Sequence, residues 1–330
     1  MIRVKEPGLL STVQDEGRHG FQQFGVITSG VMDPFALRIA NLLVGNDEKE
    51  AAIEVTLTGP TIEFEEDALI AICGADFSAV LDEEPLPLWR PVVVKKGSTL
   101  HMKFSKTGCR AIIAMGGGLD LPFIMNSKST YVRAGIGGFD GRAFDKGDVI
   151  NGKPLSKTSS QIVRSLTKKT RKALTAKWSI SSVYLAELYN RKTIRVIKGR
   201  QYDDFSAESQ QDFWNEQYKL SSQSDRMGFR LNGPNLERIV SEDLLSEAVA
   251  FGTIQVPSDG QPIILLADRQ TIGGYPKMGQ VASVDLPALA QKKPGETMQF
   301  QEVSHQEAQR LLLKREQDIR ELKWIIDKKN

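Results

Sequence analysis

Residues 251–281, FGTIQVPSDGQPIILLADRQTIGGYPKMGQV, constrain the fold more than any other part of the chain. Asp259-Gly260 between two apolar runs is a hairpin signal, because glycine accepts the positive φ that such turns need. Residues 262–267 then read as a short apolar strand, ended by Asp268 and Arg269 beside a turn of Thr271, Gly273, Gly274 and Tyr275. This strand-turn-strand unit carries Gln255, Asp259, Gln261, Asp268, Arg269, Thr271, Tyr275 and Lys277. Together they offer donors for the oxygen and acceptors for the nitrogens of a planar amide or ureido group. Packed cores seldom need that set, so the segment reads as a ligand-facing loop carried by a sheet.

The same grammar of short apolar runs broken by glycine and proline fills the first half, at 57–64, 68–72, 92–94, 99–104 and 111–115. It predicts a strand-rich barrel or sandwich rather than a series of β-α units. One helix interrupts it: Asp33 caps, Pro34 suits the first turn, Phe35, Ile39, Leu42 and Leu43 form an apolar face, and Gly45 and Asn46 stop it. With 330 residues the chain is long enough for two cores, since single cores stop growing near about 250 residues. The expected division is a strand-rich domain over 1–150, a basic polar connection over 151–192, a second barrel-rich domain over 193–303 and a terminal helix over 304–330. Strands are expected at 193–197 and 298–303 and a helix at 206–218. The terminal helix presents Ala308, Leu311, Leu312, Ile319, Leu322 and Ile325 as an apolar stripe. An internal echo, STYVRAGIGGFDGRAFDKGDVI against RQTIGGYPKMGQVASVDL, fits tandem barrels of one type and equally fits chance likeness between glycine-rich loops.

Charge names no macromolecular partner. The 43 basic and 41 acidic residues leave a net +2, too balanced for a nucleic-acid or membrane surface. Cys73 and Cys109 have no ligand spacing and suit a reducing, cytoplasmic compartment. No window approaches a membrane span, and no metal or nucleophile-elbow motif occurs.

Four further constellations carry candidate chemistry. In VQDEGRHG, Gln14, Asp15 and Arg18 suit a carboxylate or amide ligand, or a loop tied down by its own ion pair. Asn41, on the first helix, either donates to a ligand or satisfies a loop carbonyl, and Glu54 is a carboxylate inside an apolar run, which demands pairing or perturbation. In GIGGFDGR, Gly137, Gly138 and Arg142 expose backbone amides beside a guanidinium, suited to a phosphate or carboxylate or simply to turns in a barrel wall. In SDRMGFRL, Arg226 and Arg230 suggest anion recognition, with Asp225 available to neutralise one of them.

With these motifs in view, the chain resembles the family of the 5-oxoprolinase C subunit, also described as allophanate-hydrolase subunit 2 or biotin-dependent carboxyltransferase-like. The resemblance runs from PGLLSTVQDEGRHG through SGVMDPFALRIANLLVGN, IEVTLTGP, MGGGLDLP, GIGGFDGR, QYDDF and SDRMGFRL to the 251–281 segment. It implies a mainly β chain with accessory helices, built of tandem cyclophilin-like β-barrel domains. It also implies two partners, proteins like the B and A components of 5-oxoprolinase, within an assembly compatible with a homo-oligomer of heteromers. That assembly hydrolyses 5-oxo-L-proline to L-glutamate with ATP, which is bound at the level of the complex. The family's sporulation-control members in the bacilli imply an alternative, a regulator antagonising a B-component-like inhibitor of a histidine kinase. The urea carboxylase likeness implies another, a biotin-dependent carboxyltransferase component. A Met-Lys-Met biotin context is missing, so no covalently attached biotin is expected here. The residues expected at the reacting centre are Asp15, Arg18, Glu54, Asp268, Arg269 and Lys277. Gln14, Asn41, Arg226, Arg230, Gln255, Gln261, Thr271 and Tyr275 are expected around the lactam, and Gly137, Gly138 and Arg142 at the nucleotide.

Overall fold

The computed structural model describes residues 1–167, 175–240, 242 and 244–329. The chain divides into two compact units. Met1–Arg18, Ser29–Leu185 and the residues from Asp318 onward form the first, and His19–Thr28 with Ala186–Gln317 form the second.

Two antiparallel sheets make the first unit. One runs Val149–Ile150, Ile2–Glu6, Thr61–Phe64, Thr99–His101, Val80–Leu81, Glu84–Pro85, and the other Leu10–Gln14, Ala52–Thr56, Thr107–Met115, Ala68–Asp76, Val92–Val94. Alternation along each strand sends Ile2, Val4, Ile62 and Phe64 from one sheet, and Val13, Ile53, Val55, Ile70 and Ile113 from the other, into a single core. The expected strand over 57–64 starts only at Thr61. Leu57 takes a left-handed φ of 59°, and Pro60 removes a backbone donor. Two other strands run longer than expected, because the ladder between Thr107–Met115 and Ala68–Asp76 continues through a register shift at which Gly74 adopts φ 101°.

The outer face of the second sheet is covered by the helix Pro34–Leu43, which packs on Ala68–Asp76 and Thr107–Met115. The Asp33 carboxylate accepts from the Ala36 amide at 2.9 Å, as a cap should. Burial extends beyond the expected apolar face to Ala36, Leu37, Ala40 and Asn41. Truncating Leu37 or Leu43 to alanine is therefore a cavity-forming change of about 2–5 kcal/mol. Within the basic connection, Lys157–Thr167 is helical and buries Ile162, while residues 168–174 of that run lie outside the described residues.

In the second unit the sheet closes. The barrel order is Thr193–Lys198, Lys277–Val281, Thr253–Gln255, Ile263–Leu265, Gly228–Asn232, Gln217–Leu220, Thr297–Glu302, with the last strand pairing parallel to the first. Closure removes the edges an open sheet would expose. Phe213, on the helix Ala207–Asn215, stacks on Phe300 at 4.8 Å, and Tyr218 lies 5.4 Å from the same ring. The chain is thus mainly β with accessory helices, and its described residues form one closed seven-stranded barrel and several open sheets. Outside the barrel, Glu247–Ala248 pairs with Ile272–Gly273 as a two-stranded ribbon.

The terminal helix, His305–Lys329, begins with a Ser304 hydroxyl accepting from the Glu307 amide at 3.1 Å. Its buried positions are Ile319 and Ile326, whereas the expected Leu312 and Ile325 are exposed. Ala308, Leu311, Arg315, Ile319, Leu322 and Ile326 form the inward line, with an arginine standing where a purely apolar stripe was sought. Its Nη2 donates to the Val284 carbonyl at 2.5 Å, so the stem is packed and the head satisfied. Asp318, Ile319 and Leu322 border an apolar cavity of about 240 Å³ with Phe35, Ile39 and Tyr184 of the same unit.

Candidate functional site

The first unit gathers Gln14, Asp15 and Arg18 against one segment, 124–130. Asp15 is buried, and its Oδ1 accepts from Ser127 Oγ at 2.7 Å, Ser129 Oγ at 2.5 Å and the Gly17 amide at 2.8 Å. Its Oδ2 accepts from the Lys128 amide at 2.6 Å. The carboxylate thus accepts from four donors, an arrangement that holds its loop in place. Arg18, only 1% exposed, donates from Nε to Ile124 O at 3.0 Å and from Nη2 to Ser129 O at 2.7 Å. Asp15 and Arg18 thus both fasten their loop to the 124–129 segment. Gln14 uses its amide nitrogen on Thr12 Oγ1 and Thr130 O, and its buried Oε1 has no hydrogen-bond partner.

Beside them lies a lysine pair that sequence reasoning did not single out. Lys128 Nζ, almost fully buried, meets Glu50 Oε1 at 2.8 Å, and Lys153 Nζ meets Glu50 Oε2 at 2.7 Å. Burial alone would push the Glu50 carboxyl up, but the two ammonium donors hold it below its ordinary range. Burial pushes the Lys128 ammonium down despite Glu50. Asn41 closes this network: its Nδ2 donates to Glu50 O at 2.6 Å and its Oδ1 accepts from Asn46. The three partners are brought together from positions 78 and 103 residues apart, so no local spacing announces them. Glu54, on the face of its strand opposite Ile53 and Val55, accepts from the Met32 amide at 2.7 Å.

Gly137 and Gly138 adopt φ 72° and 55°, and a Cβ on either would strike the backbone of Ser129 or the side chain of Thr130. The amides of Gly138, Gly141 and Arg142 already donate to Lys128 O, Gly137 O and Phe139 O. Arg142 makes a two-pronged bond to Asp148 at 2.7 and 2.8 Å, which holds the Asp148 carboxyl below its usual range. A side chain at either glycine would crowd the chain, and the Gly138, Gly141 and Arg142 amides and the Arg142 guanidinium all have partners within the protein.

The second unit gathers the candidates of the 251–281 segment. Arg226 Nε and Nη2 meet Asp268 Oδ2 and Oδ1 at 2.9 and 3.2 Å, with both side chains about one-tenth exposed. The carboxylate partner of Arg226 is thus Asp268, whereas Asp225 accepts from the Met227 and Gly228 amides and shapes the turn. Lys277 Nζ meets Glu247 Oε2 at 2.7 Å, and Arg200 meets the other oxygen at 2.8 Å, so both cations hold Glu247 below its ordinary range. Gln255 is buried and donates to Tyr275 O at 3.2 Å, while Gln261 closes on both peptide groups of Gly233. Thr271 O accepts from Val249 N at the ribbon's end. Arg230 is exposed on its strand, away from these contacts. Among the described residues Arg269 donates to the carbonyls Leu266 O at 3.1 Å and Val249 O at 3.5 Å, and it lies 5.9 Å from the Phe251 ring.

An open cavity of about 560 Å³ lies against this segment. Phe205, Arg238, Leu244, Val256, Tyr275 and Pro276 are among its walls, so two stretches of the 251–281 motif border it. Tyr275 is half exposed there, and Arg238 is held by Asp204 and Glu242 O while its buried Nε makes no hydrogen bond. The cavity lining mixes apolar side chains with Asn235, Glu237, Arg238 and Ser258, and convergent polar groups in a concave wall are what orient a small molecule. Arg238, Asp204 and Glu247 were invisible as candidates because their charged partners lie 30 to 47 residues away along the chain.

Residues 24–302 match the carboxyltransferase domain, subdomain A and B, and the chain belongs to that family. Within it the chain is a member of the group formed by the C component of 5-oxoprolinase. It is 38% identical to the 5-oxoprolinase C subunit of Haemophilus influenzae and 37% identical to that of Escherichia coli, in each case over all of both chains. The crystal structure of the Kluyveromyces lactis urea carboxylase superposes on 97% of this chain with a TM-score of 0.86 and 29% identity. This chain corresponds to 29% of that much longer one.

Proposed function

We propose that this chain is a carboxyltransferase-family component that binds a small amide or ureido substrate, and that it serves as the C component of an ATP-dependent 5-oxoprolinase. End-to-end correspondence with two bacterial proteins of that name carries the reading. The cavity beside residues 256–260 and 274–276 is the lactam site in this reading, and proteins like the B and A components of the enzyme complete the assembly. The nucleotide is held by a partner, because Arg142 and the Gly138 and Gly141 amides of this chain are already engaged. This chain orients the lactam, shields it from water and places donors toward the oxygen on which charge develops. The barrel is read as cyclophilin-like, with the two sheets of the first unit as its opened counterpart.

A second reading is carboxyl transfer from biotin borne on another polypeptide, supported by the family match and the fold shared with urea carboxylase. Reconstitution separates them. The full chain with its two partner proteins is expected to release glutamate from 5-oxoproline only when ATP is present. Consumption of carrier-bound carboxybiotin without glutamate release would favour the second reading. A stable complex without either turnover would favour a regulatory role, as antagonist of a B-component-like inhibitor.

A further inference from the structure

In the second unit Asp204, Asp268 and Glu247 each meet a cation, at 3.4, 2.9 and 2.7 Å. Glu237 differs. Among the described residues its carboxylate meets no donor and no cation, while its backbone is held on both sides. The Glu237 amide donates to Ser209 Oγ at 2.8 Å, and its carbonyl accepts from the Ser206 amide at 3.0 Å. The preceding residue is anchored too, since Leu236 is buried and its amide donates to Gly260 O at 3.0 Å. An unpaired glutamate on an open surface is ordinary, but Glu237 borders the cavity of about 560 Å³. Asn235, Ser258 and Tyr275 of the same wall carry an amide and hydroxyls, which can either donate or accept. A carboxylate only accepts, so Glu237 is the lining side chain that dictates a donor on the ligand. Arg238 is the other charged side chain of the lining, so the wall carries one charge of each sign.

We infer that Glu237 accepts the ring N–H of the substrate and thereby sets the preference of the site for an amide over an ester. This role rests on the reading of the cavity as the lactam site, and it names the group that tells a lactam from a lactone. An amide N–H donates to a carboxylate, whereas the ring oxygen of a lactone offers only lone pairs. A bound lactone would leave Glu237 without a donor and facing like partial charge. Asn235 and Tyr275 remain available to donate to the carbonyl oxygen.

Calorimetric titration of the full chain without ATP reads that preference directly, with no turnover. The ligands are 5-oxoproline and its lactone counterpart, 5-oxotetrahydrofuran-2-carboxylate, which keeps the ring, carbonyl and carboxylate and has oxygen in place of the N–H. The parent should bind the lactam about 10-fold or more tighter than the lactone. Glu237→Ala should weaken the lactam by about the same factor and bring the two ligands within about threefold of each other, a loss of discrimination that a merely structural change would not produce. Glu237→Gln keeps an acceptor oxygen and should recover part of the preference. Gly274→Phe places a ring in the same cavity and should abolish binding of both ligands, which tests the site separately from Glu237. Thermal melting checks that each variant is folded. No binding of 5-oxoproline to the parent, or binding that survives in folded Gly274→Phe, would overturn the lactam site and the role of Glu237 with it. Equal binding of the two ligands by the parent, or an undiminished preference in folded Glu237→Ala, would overturn the role of Glu237 alone.

Discussion

Asp268→Ala removes the carboxylate that meets both prongs of Arg226 and leaves the guanidinium in a site where about one-tenth of the side chain reaches water. Solvent screening offers little relief at that burial. Breaking a buried pair from one side costs about 3–5 kcal/mol. The change should therefore fall at the upper end of point-mutant effects, and it belongs to the barrel, because Asp268 N donates to Arg226 O beside the paired strands Gly228–Asn232 and Ile263–Leu265. Hydrogen exchange read peptide by peptide is the suitable assay, since a chain of two units need not unfold in one step. Amides of those strands that exchange only by opening of the whole unit should speed up by roughly two to three and a half powers of ten. First-unit strands such as Ala52–Thr56 should change far less. Replacing both partners, Arg226→Met with Asp268→Leu, should restore most of the protection, because no charge is stranded. Less than a tenfold change in Asp268→Ala would refute the claim that this pair anchors the barrel.

Asp15→Ala strands the Ser127 and Ser129 hydroxyls and the Gly17 and Lys128 amides, and should cost about 3 kcal/mol in urea unfolding, with Asp15→Asn milder. Glu50 is held below its ordinary 4.5, so the stability it contributes is complete above the unfolded value and disappears as pH falls through the lower folded value. Glu50→Gln should therefore lose roughly 3 kcal/mol at pH 7 and show a shallower acid decline below pH 4.5 than the parent, as measured by denaturant midpoints across pH.

Strands and caps were legible where the signal is local. Asp33 with Pro34, Asp259 with Gly260, and the alternating apolar runs announce their own conformations, and the structure forms the helix and the strands near the expected places. The terminal helix was legible as a helix, but not its inward line, because an arginine stem can pack as an apolar residue does. Closure of one sheet and not the other depends on register and bulges such as that at Gly74, which a single glycine in a strand hints at without fixing. Candidate site residues were legible as residue types, since buried charge is rare. Their partners were not: Arg226 with Asp268, Lys277 with Glu247 and Lys128 with Glu50 are long-range pairings that topology alone creates.

The claim that the cavity against residues 256–260 and 274–276 holds the substrate is most directly tested by filling it from its own wall. Gly274 lines the cavity, its backbone is not in the left-handed region, and among the described residues an added Cβ would meet Ser246 Oγ at 3.3 Å and Leu244 O at 3.5 Å. Gly274→Phe should therefore fold, with a melting midpoint within a few degrees of the parent, while placing a ring in the space proposed for the lactam. In the reconstituted, ATP-supplied assembly the account predicts at least a 100-fold fall in kcat/KM for glutamate release from 5-oxoproline. Parental kcat/KM in the folded variant would contradict it.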